Sequence, residues 1–259
     1  MKLNVSRKLI AAAAGLMFAA AIPAAVVAED TIKLGVIGPH SGDLASYGLP
    51  SVNAAKILTE QINAAGGING KKIELLVEDT VCDAKTATDV ATKLVSGGAQ
   101  IVLGGICSGS TKAALPIYQN AGILVMSPSA TNPALTQSGD YNNFFRTIAP
   151  DDAQAQLDVD FALDKLGYTK IAVVHDKGDY GKGFAEFAKK FLEESGRADV
   201  VLFEGVTPGA VDYSAIVQKI KKSGAESVMF GGYQPEDSKI VTMMKKKRLE
   251  SDFISDDGV

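Results

Sequence analysis

The sequence predicts an α/β protein of two doubly wound parallel-sheet lobes joined by a hinge, with the C-terminal part of the second lobe missing. Three observations carry this reading. Short β-branched runs alternate with helical segments of about 10–15 residues, the pattern of a parallel sheet with helices on both faces. The alternation restarts near Ala149-Pro150-Asp151-Asp152, so it occurs twice. Two runs, Ile101-Val102-Leu103 and Ile123-Leu124-Val125, are each followed by a cluster of small hydroxyl residues, Cys107-Ser108-Gly109-Ser110-Thr111 and Ser127-Pro128-Ser129-Ala130-Thr131-Asn132-Pro133. In an open parallel sheet, ligands bind beyond the carboxyl ends of the strands, where strand order reverses.

The first lobe opens with a buried-strand run at residues 32–37. Apolar residues at helical spacing, Ala55, Leu58, Ile62 and Ala65, predict a helix over 54–65 that Gly66-Gly67 stops. A strand at 73–77 leads to a helix over 84–95, closed by Gly97-Gly98. After the strand at 101–103, a helix starts just after Ser108, carries its periodic residues over 111–120 and ends at Gly122. The strand at 123–125 and a short run at 144–148 complete this set. In the second set, Asp151 or Asp152 is placed to cap a helix running to Leu166, with Gly167 as its stop. Strands follow at 171–174, 200–203, 227–230 and near Phe253, separated by helices over 183–194, 213–222 and 236–248. The lobes are thus bounded as 29–149 and 150–259. The chain stops at Asp256-Asp257-Gly258-Val259, directly after a strand, which reads as an unfinished lobe.

Residues 1–28 read as an export signal: Lys2, Arg7 and Lys8, an apolar run from Leu9 to Ile22, then Pro23 and the small-residue exit Val26-Val27-Ala28. The run is shorter than the ~20 residues a membrane span needs. Cleavage after Ala28 leaves about 230 residues, enough to bury a sizeable core. A net charge of −4 from 26 basic and 30 acidic residues gives no excess that would draw nucleic acid, and that class of partner is excluded. Cys82 and Cys107 are the only cysteines. In an oxidising compartment they form either a bridge or two buried thiols, and sequence alone leaves both open. A bridged loop of about 25 residues would add ~3 kcal/mol of stability in the chain-entropy description.

The loops leaving the strand ends assemble the candidate site. The first lobe supplies neutral hydroxyls and N–H groups, to which a helix beginning after Ser108 adds its positive dipole end. The second supplies tyrosines and acids around Tyr180, Tyr233 and Asp257. A zwitterion with its carboxylate on the first lobe and its ammonium near the second would be satisfied at both ends, the pattern of a free amino acid held between two lobes.

These residues resemble the periplasmic leucine/isoleucine/valine-binding proteins of ABC importers, which have the type I periplasmic-binding fold. The resemblance runs along the mature chain through Gly66-Gly67-Ile68-Asn69-Gly70, Cys82-Asp83, Cys107 to Thr111, Ser127 to Pro133, His175-Asp176-Lys177, Tyr180-Gly181, Gly231-Gly232-Tyr233 and Asp257-Gly258. It implies that Ser108 and Thr131 hold a ligand carboxylate, and that the Ser129 carbonyl and Asp257 hold the ammonium. Tyr47, Tyr180 and Tyr233 would line and close the cleft, and Ile106, Cys107 and Ala130 would wall it. The family usually has Glu where this chain has Asp257, one methylene shorter. The resemblance also implies a Cys82–Cys107 disulfide, a monomer in the periplasm, an inner-membrane ABC permease as partner, an aliphatic L-amino acid of the branched-chain type as ligand, and no cofactor, metal or chemistry.

Other readings of the same residues are open. Ser108 and Thr131 also suit helix caps and turns. Tyr180 and Tyr233 suit packing, and Asp257 suits a cap. His40 and His175 lack a second histidine at metal-ligand spacing. Lys245-Lys246-Lys247-Arg248 fits the solvated end of a helix. Gly105-Ile106-Cys107-Ser108-Gly109 matches a nucleophile elbow with Cys for Ser, with acids and then His175 following, so a secreted hydrolase acting through Cys107 is an alternative. A ligand-sensing module of a receptor is another.

Overall fold

Strand β1 (Ile32–Gly38) runs between β2 (Ile73–Asp79) and β3 (Ile101–Leu103), and β4 (Leu124–Ser127) and β5 (Phe144–Arg146) extend the sheet beyond β3 in the order β2-β1-β3-β4-β5. A second sheet has the order β7-β6-β8-β9, from β6 (Lys170–His175), β7 (Asp199–Gly205), β8 (Ser227–Gly231) and β9 (Asp252–Ser255). Every strand pairing in both is parallel. These coordinates come from a computed structural model that describes residues 31–259. The export signal expected over 1–28 lies outside the described residues.

Parallel strands need helical crossovers, and eight helices supply them among the described residues. In the five-stranded lobe, α1 (Ala45–Ala64) lies on one face, while α2 (Ala84–Ser96), α3 (Ser108–Asn120) and the short α4 (Ala134–Gln137) follow β2, β3 and β4. Ala87, Val90, Ala91 and Leu94 recur at helical spacing and are buried, which is what seats α2. They join Val102, Leu115 and Val125 in one core, whereas Val36 meets Val52 and Ala55 of α1 on the opposite side. In the four-stranded lobe, α5 (Asp151–Asp160) and α6 (Asp179–Ser195) cover one face through Val159, Val173, Phe184 and Met229. The other face packs α7 (Ser214–Ser223) and α8 (Gln234–Lys246) through Val174, Val217, Phe230 and Ile240. Ile171 to Val174 are fully buried because β6 is central and covered on both sides, the reason its run is apolar without alternation.

The expected alternation is present, with corrections at element starts. Helix α1 begins at Ala45 rather than at 54 and takes Gly48 and Pro50, residues that disfavour a helix interior, into its first turns. Gly48 is instead required by close approach: a Cβ there would lie 2.2 Å from the Pro39 carbonyl oxygen. Tyr47 therefore stands in a helical first turn and not in a loop. Pro150 occupies the position before α5, so Asp151 and Asp152 lie inside its first turn and make no capping bond. An acidic side chain in that first turn suits the helix dipole, as at Asp152. The helix does run to Leu166, its last residues Phe161–Leu166 in π-helical form, and Gly167 ends it in the left-handed conformation. Helix α4 is too brief for a periodic signal.

Candidate functional site

Strand order reverses between β1 and β3 in one sheet and between β6 and β8 in the other. The loops beyond these two crevices meet. The Tyr47 hydroxyl donates to the Gly258 carbonyl and accepts from the Gln234 N–H at 3.0 Å, joining α1 to the loops after β8 and β9. Its ring meets Tyr233 edge-on at 5.5 Å, and Tyr233 lies 5.2 Å from Tyr180. Three tyrosines expected from the sequence thus form one continuous aromatic contact across the lobes. Close backbone packing sharpens this edge, for a Cβ on Gly231 would lie 2.1 Å from the Gly181 carbonyl oxygen.

A cavity of about 390 Å³ opens here. Its apolar walls include Leu44, Val81 and the bonded Cys82 and Cys107 from the five-stranded lobe, facing Tyr180 and Tyr233 from the other. Of the ten candidate residues, Cys107, Tyr180 and Tyr233 line it directly. The cysteines are joined across a Cα separation of 5.6 Å, tying the loop after β2 to the start of α3. A bridged sulfur cannot form a thiolate, and the Cys107-nucleophile alternative is set aside on that ground.

Ile106, Ser108, Ala130 and Thr131 are buried behind the strand ends. Ser108 begins α3, whose first-turn N–H groups have no intrahelical partners. The Ser110 and Thr111 hydroxyls turn back onto the Cys107 carbonyl at 3.1 and 2.8 Å, and Ser108 Oγ accepts the Asn132 N–H at 3.2 Å. The second hydroxyl loop is organised by a residue that sequence reasoning did not single out for a role. Ser127 Oγ donates to the Gly105 carbonyl at 2.6 Å and accepts from the N–H groups of Ser129 and Ala130 at 3.1 and 2.8 Å. Arg146 was likewise missed. Its guanidinium holds the Ala130 and Asn132 carbonyls at 3.2 and 2.9 Å, and only the register Ser127↔Arg146 brings it there.

Acids crowd the opposite edge. Asp257 Oδ1 accepts the Tyr180 hydroxyl at 2.6 Å. Asp256, 4 % exposed, accepts the Gly232 and Gly258 N–H groups at 2.8 and 3.2 Å, and burial holds its carboxyl well above the usual range. Asp151 is fully buried, with no hydrogen bond to either carboxyl oxygen; its N–H donates to the Thr131 carbonyl at 3.1 Å, and the buried Thr131 hydroxyl also has no partner. Burial, reinforced by the charge of Asp257, pushes Asp151 up to about 7, against the lowering effects of Thr131 and Arg146. Burial and the same neighbouring acids raise Tyr180. Two buried carboxyls and the exposed Asp257 on one edge, with a helix start whose first N–H groups lack intrahelical partners on the other, suit a ligand that brings a cation and an anion together. Elsewhere His175 Nδ1 accepts the Lys177 N–H at 3.0 Å, an ordinary loop role.

Residues 31–249 match the sequence profile of a family described as periplasmic binding protein. The chain is 41% identical over 233 residues to the leucine-, isoleucine-, valine-, threonine-, and alanine-binding protein of Pseudomonas aeruginosa, covering 90% of this chain and 62% of that one. It is 40% identical over 233 residues to the Leu/Ile/Val-binding protein of Escherichia coli K12, covering 90% and 63%. The branched-chain amino acid transporter substrate binding protein LivJ of Streptococcus pneumoniae, solved in complex with isoleucine, is similar with a TM-score of 0.78 and 33% identity, over 88% of this chain and 64% of that one. The chain therefore spans about three fifths of the length of these relatives.

Proposed function

We propose, since the chain belongs to the periplasmic binding protein family, that it is the substrate-binding component of an ABC importer and captures an aliphatic L-amino acid of the branched-chain type. The observation that carries this is the opposition of two unlike strand-end edges, hydroxyls and a helix start on one lobe and three acids on the other, bridged by Tyr47, Tyr180 and Tyr233. The ligand carboxylate goes to the α3 start and the hydroxyls of Ser108 and Thr131, where the helix dipole favours an anion. The ammonium goes to Asp257 and the Ser129 carbonyl, and a cation beside the buried Asp256 and Asp151 would favour their ionised forms, which burial alone disfavours. Leu44, Val81 and the Cys82–Cys107 bridge offer an aliphatic side chain an apolar wall beside the aromatic rings. Ile106 and Ala130 back this wall.

In this reading the lobes, bounded at residues 149 and 150, close about a hinge on the ligand. Only the closed arrangement contacts it from both sides, so binding raises that population. The monomer acts in the periplasm and hands the amino acid to a membrane permease without chemistry. The test is a thermal-shift and calorimetric screen against the twenty amino acids. Leucine, isoleucine or valine at a hundredfold excess over Kd should stabilise the protein by about 2.7 kcal/mol. No response to any aliphatic amino acid would reject the assignment.

A further inference from the structure

Besides its carbonyl, which Arg146 holds, Asn132 is fixed at three points. Its N–H rests on Ser108 Oγ at 3.2 Å, its Oδ1 accepts the Ala134 N–H at 3.0 Å, and its Nδ2 donates to the Asp179 carbonyl at 2.6 Å. The third bond leaves the five-stranded lobe and ends on the first turn of α6. Beside it, Lys112 Nζ lies 3.2 Å from Asp179 Oδ1, with both side chains nearly half exposed. An ion pair so open to water contributes little, which leaves the amide–carbonyl bond as the directional contact. One turn along α6, Gly183 permits the approach, since a Cβ there would lie 2.7 Å from Asn132 Nδ2. Asn132, Lys112 and Gly183 are all absent from the cavity lining.

We infer that Asn132 is a positioning residue for lobe closure, clasping the Asp179 carbonyl only when the two strand-end edges meet. A contact made in the closed arrangement alone, and not made with the ligand, multiplies every ligand's affinity by one factor. Part of the closure strength is then set by a residue apart from those that meet the ligand. The inference rests on the binding function proposed above, but the clasp itself can be observed without a ligand.

Gly183→Ala is the sharpest probe. Alanine is the better helix former, so the resting fold is not weakened, while the added methyl pushes Asn132 off its bond. For L-isoleucine and L-leucine the Kd should rise by the same factor, about three- to tenfold, through faster dissociation at an unchanged association rate. Asn132→Ala should do the same. In the double variant the methyl meets no amide, and the loss should match that of Asn132→Ala alone. Without amino acid, spin labels at Lys56→Cys and Lys221→Cys, exposed positions on the two lobes, should report longer separations in both single variants than in the parent. Unchanged separations, additive losses, or unequal losses for the two amino acids would overturn the clasp. If the parent binds neither amino acid, the proposed substrate falls while the label separations still decide the clasp.

Discussion

The Tyr180 hydroxyl donates to Asp257 Oδ1 at 2.6 Å, linking the first turn of α6 to the loop after β9. That bond fixes the orientation of an exposed carboxylate whose neighbours Asp256 and Asp151 are buried acids. An anion so held invites a cation and occupies only one of its oxygens in doing so.

Asp257→Asn is expected to weaken amino-acid binding more than tenfold, about 1.4 kcal/mol, as measured by calorimetry. Asn caps a helix nearly as well as Asp, so a purely structural Asp257 would leave affinity intact. A ligand lacking the amino group should lose little or nothing, and equal loss for both ligands would remove Asp257 from the ammonium site.

Thr131→Val keeps the shape of the side chain and removes its hydroxyl. If Thr131 meets the ligand carboxylate, affinity falls by about 1.5–3 kcal/mol with little change in melting temperature. Should the melting temperature move and the Kd stay fixed, the hydroxyl serves Asp151 alone.

Replacing both Cys82 and Cys107 with Ala opens a loop of sequence separation 25. Urea unfolding should report a loss of about 3 kcal/mol. Two reactive thiols in unreduced, denatured parent protein would contradict the bridge.

Asp151, raised by burial from an ordinary carboxylate value to about 7, binds a proton more tightly folded than unfolded. Its contribution is fully present below about pH 4 and is lost as pH rises through about 7. Asp151→Asn should therefore raise the melting temperature at pH 8, where the native carboxylate is charged and without a hydrogen bond, and flatten the slope between pH 5 and 8. An equal slope in both proteins would show that another buried acid dominates.

Much of the architecture is readable along the chain because hydrophobic period and glycine stops are local signals. The runs of β6 and β8 are apolar without alternation over residues 171–174 and 228–230, so their central burial follows from composition alone. Gly167 marked a helix end for the same local reason. The start of α1 did not show, since Gly48 looks like a breaker until Pro39 is found against it. The hydroxyl clusters and tyrosines were legible as residue types at strand ends. The hydrogen bonds of Ser127 and Arg146, the opposition of Asp151 to Thr131 and the reach of Asn132 to Asp179 were not. Sequence by itself determined the alternation of elements, the strand-end clusters and the family, because each is written in neighbouring residues. Only the tertiary structure decided which loops face one another and which acids lose water, because those depend on register and lobe packing between residues far apart in the chain.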